Sequence, residues 1–191
     1  MRRSPLAFLA LLIVPVVALA GGSAGWLAAR PVQAPASAPL LDDPTIVAIF
    51  DAANTADIET GTLATKRGHA KEVREFGAML ARDHAQVRQL GRDLASKLGV
   101  TPTPPADDAS GRAHAAAMTH LETLRGAAFD HAFLQHEVAF HRAVIDAVNT
   151  TLLPAIRNAE VKALVVKVAP AFQAHMLAAH QLDETLAKTK K

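Results

Sequence analysis

From residue 40 to the end of this 191-residue chain, apolar side chains recur at intervals of three and four, and nowhere do they alternate over a strand's length. That is the period of the α-helix, in which every third or fourth side chain returns to the same face. A chain patterned this way buries its apolar stripes by packing helix on helix. The residue supply agrees, because tyrosine is absent and aromatics make up only 4% of the chain, poor material for a sheet.

The helix boundaries are written in prolines, glycines and acids. Asp43-Pro44 opens a first helix, whose stripe runs Ile49, Ala52, Ala56, Glu59, Leu63 and which stops near Arg67-Gly68. A second helix spans about residues 70–98, with Val73, Phe76, Leu80, Val87, Leu94 and Leu98 on one side and Gly99 at its end. Thr-Pro-Thr-Pro-Pro at 101–105 cannot be helix interior. A shorter helix then fits 107–124. A third long helix fits 127–153, with Leu134, Val138, His141, Ile145, Val148 and Leu152 in line and Pro154 closing it. Asn158 is placed to cap a fourth, which carries Val161, Leu164, Val168, Phe172, His175, Ala179, Leu182 and Leu186, with Pro170 expected to kink it. Two short connections thus bracket one of about 28 residues, 99–126, long enough to run back along the molecule. The expectation is an all-α, ferritin-like four-helix bundle (residues 43–188) with a long crossover containing a short extra helix. Phe50, Phe76, Phe129, Phe133, Phe140 and Phe172 are read as core.

The N-terminal forty residues read differently. Met1-Arg2-Arg3 precedes an apolar run over 6–20 that ends in Ala18-Leu19-Ala20, the charged start, apolar middle and small-residue exit of an export signal. No charge follows until Arg30, so residues 6–29 also suffice to cross a bilayer core of about 30 Å, with the N-terminus held inside by its arginines. Residues 1–29 are therefore a cleaved signal peptide or an uncleaved membrane anchor, and 30–42 form a Pro/Ala-rich linker. Either way the helical domain is expected in the periplasm or exported, with the membrane as a partner only through that segment. Lys plus Arg number 20 against 18 Asp plus Glu, and Arg2 and Arg3 supply the whole excess. A formally neutral domain lacks the basic surface that nucleic-acid binding requires. Absence of cysteine removes disulfides, thiolate metal sites and cysteine nucleophiles.

Chemistry must therefore come from the nine histidines and the carboxylates. His69 and His114 fall near helix ends or on weak faces and are read as solvated. His131, His136 and His141 recur every five residues, and five steps rotate by about 140°, so they spiral and cannot form one ligand row. His84 lies in line with Leu80 and Val87, His141 with Val138 and Ile145, and His175 with Phe172 and Ala179, each facing the core of a different helix. Buried imidazoles need polar partners, and helices consume their own backbone groups. Asp57, Glu59, Asp83 and Glu137 are the carboxylates in reach, Glu137 one turn from His141. Inward His and Asp/Glu from facing helices is how bundles hold ions, and imidazole with carboxylate suits Zn, Cu, Fe or Ni rather than Ca or Mg. Asp57, Glu59, Asp83, His84, Glu137, His141 and His175 are the candidate metal ligands. Hydrogen bonding among these same groups is the competing account. Asp130 lies eleven residues, about 16 Å, from His141 and is read as a helix N-terminal acid instead. No Glu is followed three residues later by His, which argues against a di-iron oxidase. No nucleophile elbow or phosphate-cradling glycine loop is present either. Two functional classes follow: a non-enzymatic exported module that binds a small ion or serves the envelope under stress, or a metal-dependent enzyme.

Several stretches together resemble a known family. Ala-Asp-Ile-Glu-x-Gly-x-Leu-Ala at 56–64, Val73-x-x-Phe76-x-x-Met79-x-x-x-Asp83-His84, Gly126-Ala-Ala-Phe-Asp130, His141, and Ala169-Pro170 through His175 are similar to the exported bacterial family called domain of unknown function 4142. The resemblance covers about residues 43–187. It implies a ferritin-like fold, export or membrane anchoring, and no established activity. Asp57, Asp83, His84, Asp130, His141 and His175 are the positions it carries over. Asp57 stands where the family usually has glutamate, Phe133 where tyrosine is usual, and Phe140 where an acid usually precedes the histidine.

Overall fold

A computed structural model describes residues 41–189, with the side chain of Thr189 excepted; the proposed signal, anchor and linker lie outside them, apart from the linker's last two residues. Every regular element among the described residues is helical: α1 (Asp43–Arg67), α2 (Lys71–Leu98), α3 (Ala109–Thr123), α4 (Gly126–Ala147), a π-helical turn (Val148–Leu152), α5 (Leu153–Ala155) and α6 (Ala159–Thr189). The all-α expectation is met.

The helix ends differ from expectation in instructive ways. The cap of α1 is Asp42, which accepts from the Thr45 N–H at 2.9 Å. Asp43 instead accepts from the N–H groups of Arg157 and Asn158 at 3.0 and 2.9 Å, tying the start of α1 to the start of α6. Asn158 caps α6 as expected, through Glu160 and Val161. Asp130 is buried, but it does not serve its own helix. Its two oxygens accept from the His69 and Ala70 N–H groups at 2.7 and 2.8 Å, and so cap α2, which lacks a side-chain cap of its own. The third long helix does not run to residue 153 as a regular α-helix; it widens to a π turn over 148–152. Pro154 provides the reason, since it offers no N–H and its ring crowds the carbonyl four residues back. Across Pro170 α6 continues unbroken.

Antiparallel pairing of α1 with α2 follows from Asp51 meeting Arg88, Asn54 meeting His84 and Gly61 meeting Gly77. That last approach needs both glycines: a Cβ on Gly61 would sit 2.6 Å from the Gly77 carbonyl oxygen, and one on Gly77 would sit 2.7 Å from that of Gly61. The pair α4 and α6 is likewise antiparallel, with His131 beside Asp183 near one end. The crossover helix α3 runs parallel to α1 on its outer side, where Glu59 meets His114 and Arg67 donates to the Glu122 carbonyl at 2.8 Å. Leu121 is the one fully buried side chain of α3.

Two apolar clusters fill the interior. One joins Ala64, Val73, Phe76, Leu80, Leu121, Phe129, Phe133, Leu134 and Ala179. The other, toward the opposite end, joins Ile46, Val47, Ala95, Leu152, Ile156, Val161 and Val165. Between them in sequence, on every long helix, lie the buried polar residues Asn54, Asp57, Thr60, His84, Glu137, His141 and His175. The expected face of α1 is thus wrong by about one helical position. Ala52 and Glu59 are exposed, whereas Asn54, Asp57, Thr60 and Gly61 point inward. Small and apolar residues surround α1 on all sides, so its stripe discriminated weakly, and the polar groups turn toward the histidines that can pair with them.

A candidate metal centre between two apolar clusters

His84 of α2, His141 of α4 and His175 of α6 meet at the centre. Their ring centroids are 5.1 Å apart for His84 and His175, 5.5 Å for His84 and His141, and 5.6 Å for His141 and His175. Phe172 closes one side, with its ring 5.1 Å from that of His84.

Each ring is held by the nitrogen that faces away from the others. The Asn54 amide donates to the Phe50 carbonyl at 2.8 Å, which fixes its Oδ1 toward His84 Nδ1 at 3.0 Å. A carbonyl oxygen only accepts, so Nδ1 carries the proton and Nε2 keeps a lone pair. His141 Nδ1 donates in the same way to the Glu137 carbonyl at 3.0 Å, leaving Nε2 bare, buried and without a partner. On α6, His175 Nε2 lies 3.3 Å from Asp83 Oδ2, and Asp83 also accepts from Arg82. If His175 donates to that carboxylate, its Nδ1 presents a second lone pair to His84 Nε2, 3.2 Å away. If it donates to His84 instead, Nε2 faces the carboxylate as acceptor against acceptor. No neutral tautomer of His175 satisfies both contacts. A protonated His175 ring would satisfy both, though burial disfavours it, and so would a cation between the near nitrogens.

The carboxylates add a second set that shares His141. Asp57, Glu137 and His141 each offer a ligand atom, all within 4.8 Å of one another, as do His84, His141 and His175. Asp57 Oδ2 is 3.3 Å from His84 Nδ1 without a hydrogen bond to it, and Asp57 Oδ1 is 3.9 Å from His141 Nε2. Both oxygens of Asp57 and both of Glu137 are buried and unpartnered. Burial, together with the neighbouring Glu137, pushes the Asp57 carboxyl well above the usual range. Burial pushes Glu137 up to about 7. Burial pushes the imidazoles down, His84 to about 3 with help from His141 and His175, His141 to about 4, and His175 less far because Asp83 opposes the change. Neutral imidazole is the form that binds metal.

Two expected ligands stand elsewhere. Glu59 is exposed on the far side of α1, 2.7 Å from His114 Nε2, so it cannot join the central set. Asp83 braces His175 from outside. Sequence reasoning missed Asn54, although it lies three residues before Asp57 and so shares its face. It also missed that His114 is half-buried with an unpartnered Nδ1, and that His136 is half-buried, held down to about 4 by burial and by His114.

The molecule is therefore an all-α domain with an imidazole–carboxylate cluster buried between helices. Residues 28–182 match the sequence profile of the family described as Domain of unknown function (DUF4142), and the chain belongs to that family. No curated protein matches the sequence. The fold is similar to that of the crystal structure of a DUF305 fragment from Deinococcus radiodurans, with a TM-score of 0.65 at 15% identity over 74% of this chain and 95% of that one. At such identity the likeness concerns fold alone.

Proposed function

We propose that this chain is an exported, ferritin-like four-helix bundle that holds one divalent transition-metal ion in its core. His84, His141 and His175 are its nitrogen ligands, and Asp57 and Glu137 supply carboxylate. The observation that carries this reading is the bracing: the far nitrogens of the rings are engaged by Asn54, the Glu137 carbonyl and Asp83, so that with His175 donating to Asp83 three lone pairs face inward. Metal-ligating histidines are oriented by such outer partners. The 3.2 Å between His84 Nε2 and His175 Nδ1 is close to the roughly 3.3 Å that separates two nitrogens each about 2.0 Å from a tetrahedrally ligated ion. Zn, Cu, Fe and Ni suit this donor set.

Binding rather than turnover is the favoured role. The central side chains are 0 to 7% exposed, and the cavities of about 590 and 440 Å³ on the surface are lined by other residues. Neither of these cavities gives a substrate a path to the ion.

Elemental analysis of untagged protein tests the reading. Wild type is expected to retain near one ion per chain and His84→Ala/His141→Ala to retain none, with added Zn raising the melting temperature of wild type alone. Equal, negligible metal in both proteins and no thermal shift in either refutes it.

A further inference from the structure

The groups of the centre are not equally enclosed. Side-chain exposure is 0% for His141 and Glu137, 1% for Asp57 and 2% for His84, but 9% for His175 and 32% for Asp83, the carboxylate that braces it. Asp57 and Glu137 belong to α1 and α4, and α3 packs on both of those helices. Asp83 and His175 instead meet between α2 and α6, with Asp83 Oδ2 at 3.3 Å from His175 Nε2. No long side chain of α6 screens that ring from solvent. Its neighbours one turn away are Ala171, Ala178 and Ala179, together with Phe172, which packs inward against His84.

We propose that the ion enters and leaves the core between α2 and α6, with Asp83 as the first protein ligand it meets and His175 as the second. This rests on the core reading above. The two residues complete an unbroken line from solvent to the centre. Exposed Arg82 donates from Nε to Asp83 Oδ1 at 3.0 Å, Asp83 Oδ2 faces His175 Nε2, and His175 Nδ1 lies 3.2 Å from His84 Nε2. His175 therefore has one nitrogen at a carboxylate that reaches solvent and the other at a buried ligand. The other two rings are braced by Asn54 and by the Glu137 carbonyl, both fully enclosed residues, so neither offers such a path. Asp83 also has the chemistry of a first contact, because a carboxylate suits a hydrated divalent cation before imidazole takes it over. Its present partner is itself a cation on an exposed side chain, and an exposed ion pair of this kind is weak. An arriving divalent ion competes with that guanidinium for the same carboxylate.

Bracing and passage leave different kinetic marks. A residue that only orients His175 changes how long a bound ion stays, whereas a residue on the path also changes how fast the ion arrives. The full chain, freed of metal with chelator, is mixed with Co²⁺ in a stopped-flow instrument and followed by visible absorption, and release is then followed in excess chelator. Asp83→Asn keeps an oxygen that can accept from His175 but loses the charge, and is expected to load about tenfold more slowly, the scale of lost electrostatic focusing. Arg82→Ala frees Asp83 and is expected to load faster than wild type; it leaves the brace in place and so decides the matter even if Asp83→Asn holds no ion. Arg67→Ala removes the same charge where α1 meets α3 and is expected to load at the wild-type rate. Circular dichroism confirms that each variant is folded. Loading of Asp83→Asn at the wild-type rate with faster release alone overturns the proposal, as does an Arg82→Ala rate no higher than that of wild type or of Arg67→Ala. If wild type itself gains no Co²⁺ signal, the core site fails and this route fails with it, a result distinct from full loading at unaltered speed.

Discussion

Replacing Glu137 with glutamine in the metal-free protein isolates the cost of burying a carboxylate in this core. The side chain is fully buried, its oxygens have no hydrogen-bond partner, and burial raises its pKa from the ordinary 4.5 to about 7. Between those values the folded state keeps a proton that the unfolded state has released, so this group's contribution to stability falls as pH rises through the window and the full cost is present above it. A tenfold difference in proton affinity between the folded and unfolded chain corresponds to about 1.36 kcal/mol, so between about pH 5 and about pH 8 the penalty grows by roughly 2.5 kcal/mol. Glutamine has the same shape and does not titrate. His84 and His141 act in the other direction, because their pKa values are lowered and the stability they contribute is lost as pH falls below the ordinary imidazole value. Both proteins keep those histidines, so that trend largely cancels in the comparison. Asp57 reinforces the difference, since part of the rise in its own pKa comes from Glu137. Urea unfolding with chelator present, at both pH values, should show Glu137→Gln gaining on wild type by about 2 to 3 kcal/mol at the higher pH. A gap between the two proteins that does not change with pH would refute the claim that this carboxyl is protonated in the metal-free fold.

Two further predictions concern the frame that holds the centre. Asp130→Ala leaves the His69 and Ala70 N–H groups at the start of α2 without their acceptor and should cost about 1 to 2 kcal/mol in denaturant unfolding, with Asp130→Asn recovering part of it. Gly77→Ala places a Cβ 2.7 Å from the Gly61 carbonyl oxygen and should cost about 1 to 3 kcal/mol by overpacking; it should also weaken retained metal by prising apart the helices that bring Asn54 to His84.

Helix identities were legible because the buried seams of α2, α4 and α6 keep a regular three- and four-residue spacing, even though Leu90, Val166 and Leu177 stand exposed on α2 and α6. Leu80 and His84, Leu134 and His141, and Phe172 and His175 each fall on the buried face their spacing implies. The seam of α1 misled because that helix is nearly uniform around its circumference, and a face cannot be read where apolar and polar positions are not segregated. Its orientation comes from tertiary contacts: the reciprocal approach of Gly61 and Gly77, and the reach of Asn54 to His84. The same applies to caps supplied from another helix. Asp130 was recognised as an acid near a helix start, but which helix it serves depends on where the turn between α1 and α2 packs, and no local pattern records that.

The histidines of the centre were legible by the same logic, while their chemistry was not, because it depends on which nitrogen each ring turns inward. That direction also explains why so polar a layer can sit between two apolar clusters. Five buried atoms of Asp57, Glu137 and His141 lack hydrogen-bond partners. Leaving a buried polar atom unsatisfied costs about 1 to 3 kcal/mol, so together these atoms cost an amount comparable with the roughly 5 to 15 kcal/mol by which a domain is stable. Protonating one carboxyl relieves part of that cost. It does nothing for His84 Nε2 and His175 Nδ1 if both present lone pairs across 3.2 Å. A divalent cation accepts lone pairs from nitrogen and oxygen alike, and His141 belongs to both the imidazole set and the carboxylate set. On the proposed reading the arrangement is a ligand set rather than an inert polar core, and metal binding should appear as added stability that chelator removes.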